Sequence, residues 1–481
     1  METKTVRGAQ TTAAQQTHPV YVPHGLTRRQ AVGGAAVLAA VCAAAPLGAL
    51  ATDAPADTAG AAEGAASAEA ATLLNDVTYP EPIASQDYEA QMAVDEDNPL
   101  DEGFLAGLET FSSNLTCYGL AGDTADGEAV PNGCLSPVSL YLALALLAQG
   151  AQGDTQTQIL DVLGTADSEE LASQCSNLMR VLWARTTPEG DPAPSILKVA
   201  NSVWMLRDVP FEQTFLDQAA EQFYAECYEV AAADEAAGQA MGSWVADHTG
   251  GTLDPVFNLG DDWIAGLLNT VWFEGAWSDP FNENDTASGT FHAAAGDVKC
   301  DFMTTARTCT VASSAGCRVA SLPLANGASV TFVLPDEGVD PRSFFARATG
   351  VGKLWALEGT SGELAEVTFT VPKVSFDTQA QLVDVCRQMG VGDVFDVDAA
   401  DLGALTSASA FVSQVQQGTH FAMDEKGVEA SAYTYMGIEA SSALEELEQV
   451  EFRLDRPFAF RLSGPQGVAL FVGIVGDPTQ G

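Results

Sequence analysis

Positive charge is what this sequence lacks most. Twenty Lys and Arg face 65 Asp and Glu, a formal net charge of −45. A chain this acidic repels phosphate backbones and anionic headgroups, which excludes nucleic acid and membrane surfaces as partners. Histidine is nearly as scarce, at five in 481 residues. With no C-x-x-C pair and no closely spaced Cys/His set, neither a zinc site nor any other metal or cofactor is expected. The deficit does not extend to core-forming residues. Hydrophobic side chains make up 47% of the chain against 18% charged, enough to build a large folded body.

Enzyme motifs are missing too. There is no G-x-S-x-G elbow, no G-x-x-x-x-G-K-[ST] loop and no H-E-x-x-H. Gly350-Val351-Gly352-Lys353 and Gly390-Val391-Gly392 lack the further glycines and the strand–helix frame of a nucleotide fingerprint. Asp393, Asp396, Asp398 and Asp401 lack the spacing of a calcium loop and read as a solvated acidic turn. His248, His292 and His420 stand far apart with no nucleophile pattern beside them. The chain is not expected to be an enzyme.

What is present begins with an address. Thr27-Arg28-Arg29-Gln30 precedes an alanine-rich apolar run to Leu50, with Ala49 and Ala51 in an A-x-A arrangement. Residues 1–51 read as a twin-arginine export signal, the alternative being an uncleaved anchor. Residues 52–99 are rich in Ala, Asp, Glu, Gly and Thr with two short apolar hints, and read as a flexible acidic linker. The folded block is expected over 100–481, secreted or tethered at the cell surface. Cysteines at 117, 134, 175, 227, 300, 309, 317 and 386 follow the signal. They are buried small hydrophobes or disulfides, with one local bridge available among Cys300, Cys309 and Cys317.

Within the block, helix signals come first. Ser136 can cap a helix that Pro137 opens, and the run Leu140–Leu147, apolar almost all round, predicts a buried central helix ended by Gly150. Strand signals follow at Val330–Leu334, Val367–Val371, Phe458–Leu462 and Val468–Val475. Helices followed by strands indicate an α+β fold.

These residues resemble the serpins over roughly 100–479. Asn132…Ser136-Pro137-Val138-Ser139 is similar to that family's buried helix start. Leu268-Asn269-Thr270-Val271-Trp272-Phe273-Glu274-Gly275-Ala276-Trp277, with Phe281, Thr286 and Phe291, resembles its central strand and turn. Asp455-Arg456-Pro457-Phe458 and Leu470-Phe471-Val472-Gly473 resemble its C-terminal signature. Asp424-Glu425-Lys426-Gly427-Val428-Glu429-Ala430-Ser431-Ala432 resembles the hinge of its reactive-centre loop. The resemblance implies helices packed on three β-sheets with an exposed loop, and a sheet-opening lock of Asn132, Ser136, Ser139 and Gln417. Gln417 is a departure, standing where many members carry histidine; its amide can still donate and accept.

The loop carries its own pattern. Val428, Ala430, Ala432, Thr434, Met436, Ile438 and Ala440 alternate with Glu429, Ser431, Tyr433, Tyr435, Gly437 and Glu439. That period of two marks a strand with one buried face of small or β-branched residues, while Gly427 offers a pivot. Such a segment suits a strand-insertion switch, of which serpin loop insertion is a known example. The hinge is therefore assigned to Glu425, Gly427, Val428, Glu429, Ala430, Ser431, Ala432, Tyr433 and Thr434.

The resemblance implies a suicide-substrate inhibitor, trapping a target serine protease as a covalent complex, with cysteine proteases as a second class. The spacing that inhibitory relatives keep from the hinge glycine gives Ser441–Ser442 as the reactive bond. The loop is several residues longer than common members', which leaves Ala440–Ser441 and Ala443–Leu444 open. Small residues before each bond suit an elastase-like or subtilisin-like target. No basic residue lies between Lys426 and Arg453, which excludes a trypsin-like one. The acidity argues against sulfated polysaccharide as an activator, and a monomer is expected. A non-inhibitory binding or carrier protein of the same fold is the competing class.

Overall fold

The computed structural model describes residues 36–46, 71–75, 77–122, 129–314, 316–357, 362–428 and 447–480. In chain order these form β1 (Ala36–Pro46), β2 (Ala71–Leu73), α1 (Tyr88–Asp97), α2 (Glu102–Leu120), β3 (Gly133–Leu135), α3 (Pro137–Gly150), α4 (Gly153–Leu163), α5 (Ser168–Trp183) and β4 (Ser195–Leu206). Then come α6 (Gln213–Phe223), β5 (Ala225–Val230), α7 (Glu235–His248), β6 (Trp263–Ala276), β7 (Ala287–Ala293), β8 (Gly296–Ser314), β9 (Cys317–Pro323) and β10 (Ser329–Pro335). The last part holds α8 (Ala348–Trp355), β11 (Glu363–Pro372), β12 (Val374–Gln381), α9 (Val383–Met389), β13 (Ala410–Met423), β14 (Gly427–Val428), β15 (Glu448–Arg453), β16 (Phe458–Ser463) and β17 (Ala469–Val475).

The main sheet runs β12-β13-β1-β6-β4-β5-β2, with β14 added on β6. A second strand path runs β15-β11-β8-β9-β10-β16-β17-β3. It is two sheets joined by the long β8, whose early residues pair with β7 and β11 and whose last three pair with β9. Helices and three β-sheets make an α+β fold, as the sequence indicates.

The centre is α3. Ser136 sits in extended backbone and its hydroxyl accepts from the Ser139 N–H, while Pro137 fills the first turn where no N–H is needed. Every residue from Pro137 to Gly150 is buried, because this helix lies between the main sheet and the sheet of β16 and β17. Gly150 ends it where a Cβ would lie 2.9 Å from Leu405. The four predicted strand segments fall in β10, β11, β16 and β17. All eight cysteines from Cys117 to Cys386 are free thiols. The bridge allowed among Cys300, Cys309 and Cys317 does not form; Cys317 packs in a core cluster, and Cys300 and Cys309 pack against another.

The fold starts earlier than composition suggests. The second half of the expected 52–99 linker is built onto the body. β2 pairs antiparallel with β5 at the edge of the main sheet, and Asn75 continues the ladder by bonding both the Ala225 carbonyl (3.0 Å) and the Cys227 N–H (2.7 Å). Tyr79 stacks on Trp183 at 4.8 Å, and Asp87 caps α1. The edge of β5 explains this placement: an edge strand leaves backbone groups unpaired, and a short strand satisfies them whatever its charge. Tyr79 also leans on a polar knot between β5 and α7. Glu226 there accepts from the Tyr228 hydroxyl (2.6 Å) and the Trp244 indole N–H (2.9 Å), with His248 at 3.4 Å. Burial works to raise the Glu226 pKa, but these bonds outweigh it and hold the carboxylate at about 2.

Candidate functional site

The chain leaves the top of β13 through a short turn that is tied down at each residue. The Asp424 carboxylate accepts from the N–H groups of Lys426 (2.8 Å) and Gly427 (3.3 Å), and the Asp424 N–H donates to the Gly427 carbonyl (3.0 Å). Trp277, 1% exposed, donates its indole N–H to the Asp424 carbonyl (2.9 Å) and its backbone N–H to that of Lys426 (3.1 Å). Phe281 N–H reaches the Glu425 carbonyl at 2.9 Å.

Glu425 is buried and doubly held, by the Thr286 hydroxyl and by Lys373 Nζ, each at 2.8 Å. Burial would raise its pKa, but the Lys373 and Thr286 bonds prevail and lower it. Lys373 responds in the opposite sense: burial lowers its pKa and the bond to Glu425 prevails to raise it. Beyond this clamp Gly427 and Val428 pair antiparallel with β6 at Ala276 and Gly275. A Cβ on Gly427 would lie 2.4 Å from the Gly275 carbonyl oxygen, so only glycine lets the two backbones meet.

Beneath the sheet, the start of α3 pins the strands on either side of β1. From β13, the Gln417 amide accepts from the Ser136 N–H (2.9 Å) and donates to the Ser136 carbonyl (3.0 Å). Glutamine thus does the two-way bonding that the departure from histidine put at issue. From β6, Asn269 accepts from the Ser139 hydroxyl (2.6 Å) and donates to Asn201 on β4 (2.7 Å), which donates to the Phe223 carbonyl (2.6 Å).

Asn132 does not join them. Its amide donates to the carbonyls of Asp477 and Gln480 and accepts from the N–H groups of Gly476 and Asp477. Ser136 and Ser139, at the start of α3, point under the sheet, whereas Asn132, before β3, bonds to residues 476–480. Asn201 and Asn269 are the asparagines in the bonded chain with Ser139. Their signal in the sequence is an asparagine inside an otherwise apolar strand, since a fully buried amide must find partners.

Of the loop, Glu425, Gly427 and Val428 are placed. Glu429, Ala430, Ser431, Ala432, Tyr433 and Thr434, the Ser441–Ser442 bond and its alternatives at Ala440, Ala443 and Leu444 lie outside the described residues. The chain is described again where β15 joins the exposed side of β11 in parallel, from Ala365↔Glu448 to Thr370↔Arg453. Among the described residues, no group of three or more His, Cys, Asp or Glu is placed to hold a metal.

A buried helix start bonded to β13 and β6, a clamped turn, and a glycine paired with β6 thus all bear on one sheet. A family model described as Serpin (serine protease inhibitor) matches residues 112–478. The chain belongs to the serpin family. Its similarity to a putative serpin-Z6C of Oryza sativa subsp. japonica is 31% identity over 410 residues, covering 78% of this chain and 98% of the plant protein. Alpha-2-antiplasmin of Bos taurus is 28% identical, with 78% of this serpin and 72% of that protein covered. Among solved structures, the thermophilic serpin tengpin in its native state superposes with a TM-score of 0.69 at 23% identity, covering 85% of this serpin and 100% of tengpin. Thyroxine-binding globulin in complex with thyroxine gives 0.65 at 23%, with 78% and 99% covered. At that identity these structures speak to the fold alone.

Proposed function

We propose that this serpin is a suicide-substrate inhibitor of serine-type endopeptidases of elastase-like or subtilisin-like specificity, acting outside the cell after export on residues 1–51. The observation that carries the reading is the register of the hinge. Gly427↔Ala276 and Val428↔Gly275 start an antiparallel ladder on β6. Continued one residue at a time, it brings position 440 opposite Trp263, the first residue of β6. The strand is just long enough to receive the loop from its hinge to the residue before Ser441.

The chemistry follows from that geometry. A protease serine hydroxyl attacks the Ser441 carbonyl carbon. The Ser441–Ser442 bond breaks, the Ser442 amine leaves with a proton, and Ser441 remains joined to the protease as an ester. The freed segment then enters the main sheet beside β6 and carries the protease toward the far end. A dozen or so new ladder bonds at about 1 kcal/mol net each supply roughly 10 kcal/mol before any side-chain burial, enough to deform the attached enzyme and stall deacylation. The serpin is consumed and does not turn over. The small residues of the alternating face, Val428, Ala430, Ala432 and Thr434, favour insertion over a carrier role.

The test is to mix the chain from residue 52 onward with elastase-like, subtilisin-like, trypsin-like and papain-like proteases on denaturing gels. A covalent band with the first two is expected, and none with the trypsin-like enzyme. Cleavage by all four with no covalent band and no gain in melting temperature would reject inhibition in favour of the carrier class.

A further inference from the structure

The place the loop would enter is taken. β1 lies between β6 and β13, parallel to both, from Val37↔Trp263 to Pro46↔Phe273 on one side and from Ala36↔Ala410 to Ala44↔Thr419 on the other. Its sequence, AVLAAVCAAAP, is the apolar run of the expected export signal. The hinge ladder continued down β6 puts position 430 opposite Phe273, where Pro46 stands, and position 440 opposite Trp263, where Val37 stands. The two segments would pair with the same backbone groups of β6, and each such group accepts one strand partner. They run in opposite directions: β1 is parallel to β6, whereas β14, returning from β13 through a tight turn, is antiparallel.

We infer that residues 36–46 act as an internal plug in the full chain, holding the main sheet in its filled form and denying the cleaved loop its place until the N-terminal segment is withdrawn. Full-length serpin is then a protease substrate, and withdrawal of the segment is the step that arms it. The same eleven residues cannot be both a central strand and an apolar run offered to an export machinery, so engagement of the signal empties the slot. Parallel pairing is slightly weaker per residue than antiparallel pairing, which eases withdrawal of the plug when the signal is engaged. The occupancy stands on strand register alone; its inhibitory consequence rests on the function proposed above.

The test uses the full chain. In the unaltered protein, the amides of 36–46 are expected to exchange with solvent about a hundredfold or more slower than in the denatured chain, as a central strand requires. Nicking its loop with an elastase-like protease should leave the melting temperature unchanged. In full chain carrying Ala39→Pro and Ala43→Pro, which remove ladder N–H groups that a central strand needs, nicking should raise it by about 10 °C or more. Fast exchange of 36–46 in the folded, unaltered chain would overturn the inference, and that measurement stands even where the proline variant fails to fold. An equal rise in both proteins would overturn it too. Slow exchange and a rise confined to the variant, without a covalent complex with any protease, would leave the plug standing and reject the inhibitor reading instead.

Discussion

Asn269 is where the pinning of the sheet can be measured most sharply. It is fully buried, as is Asn201, and its amide links the Ser139 hydroxyl on α3 to Asn201 on β4. Asn269→Leu keeps the branched four-atom side chain but removes both bonds, so the Ser139 hydroxyl loses this acceptor and Asn201 Oδ1 loses its donor. A buried acceptor stripped of its donor costs about 1–3 kcal/mol, which is the loss expected at Asn201 Oδ1. Replacing Asn201 by Leu as well removes that stranded group. The double variant should therefore be less destabilised than the two single changes added together, by about 1–2 kcal/mol. Urea unfolding followed by tryptophan fluorescence, with unfolding rates recorded alongside the equilibrium curve, reads both quantities. Destabilisation of Asn269→Leu below about 1 kcal/mol, or strict additivity with Asn201→Leu, would refute the view that these amides form one chain of obligatory bonds.

Other consequences can be checked separately. Ala432→Arg, in the chain from residue 52, puts a charge on the face expected to be buried; it should convert covalent complex into simple cleavage, and persistence of the complex would show the faces are assigned the wrong way round. Glu226 is only 15% exposed and its folded pKa lies below its ordinary 4.5, at about 2. Its stabilisation is thus fully present above pH 4.5 and fades as pH falls toward 2. Glu226→Gln should cost on the order of 3 kcal/mol at neutral pH, with the gap to wild type closing over that acid range. A gap that stays constant with pH would contradict the assignment. Arg28→Lys with Arg29→Lys should leave the serpin inside the cell on fractionation; unchanged export would discard the twin-arginine reading.

Much of the fold was legible because its signals are local. Ser136 and Pro137 define the start of α3 by capping chemistry within one turn, and the uniformly apolar run that follows can only be buried. The strands of the last third announce themselves by β-branched and aromatic runs. Gly427 was legible as a position that needs glycine, and the structure places it where a Cβ would meet the Gly275 carbonyl; the alternation after it falls outside the described residues. Partnerships across long separations were not. An asparagine at 269 says that a buried amide needs partners, but not that Asn201 and Ser139 supply them while Asn132 turns to the chain's end. The linker shows the same limit: Ala, Asp and Glu make up half of its composition, while Ala71–Leu73, Asn75 and Tyr79 dock on a strand edge and on aromatic rings about 100 to 160 residues away. The plug is a further case, since an alanine-rich apolar run fits an export signal and a central strand equally well.

The most direct measurement is the intact mass of the product formed when the chain from residue 52 meets an elastase-like protease and is then denatured. Loop capture predicts one species weighing the protease plus the serpin through Ser441, and a separate fragment beginning at Ser442. Two serpin fragments alongside unmodified protease, with no species joining them, would contradict it.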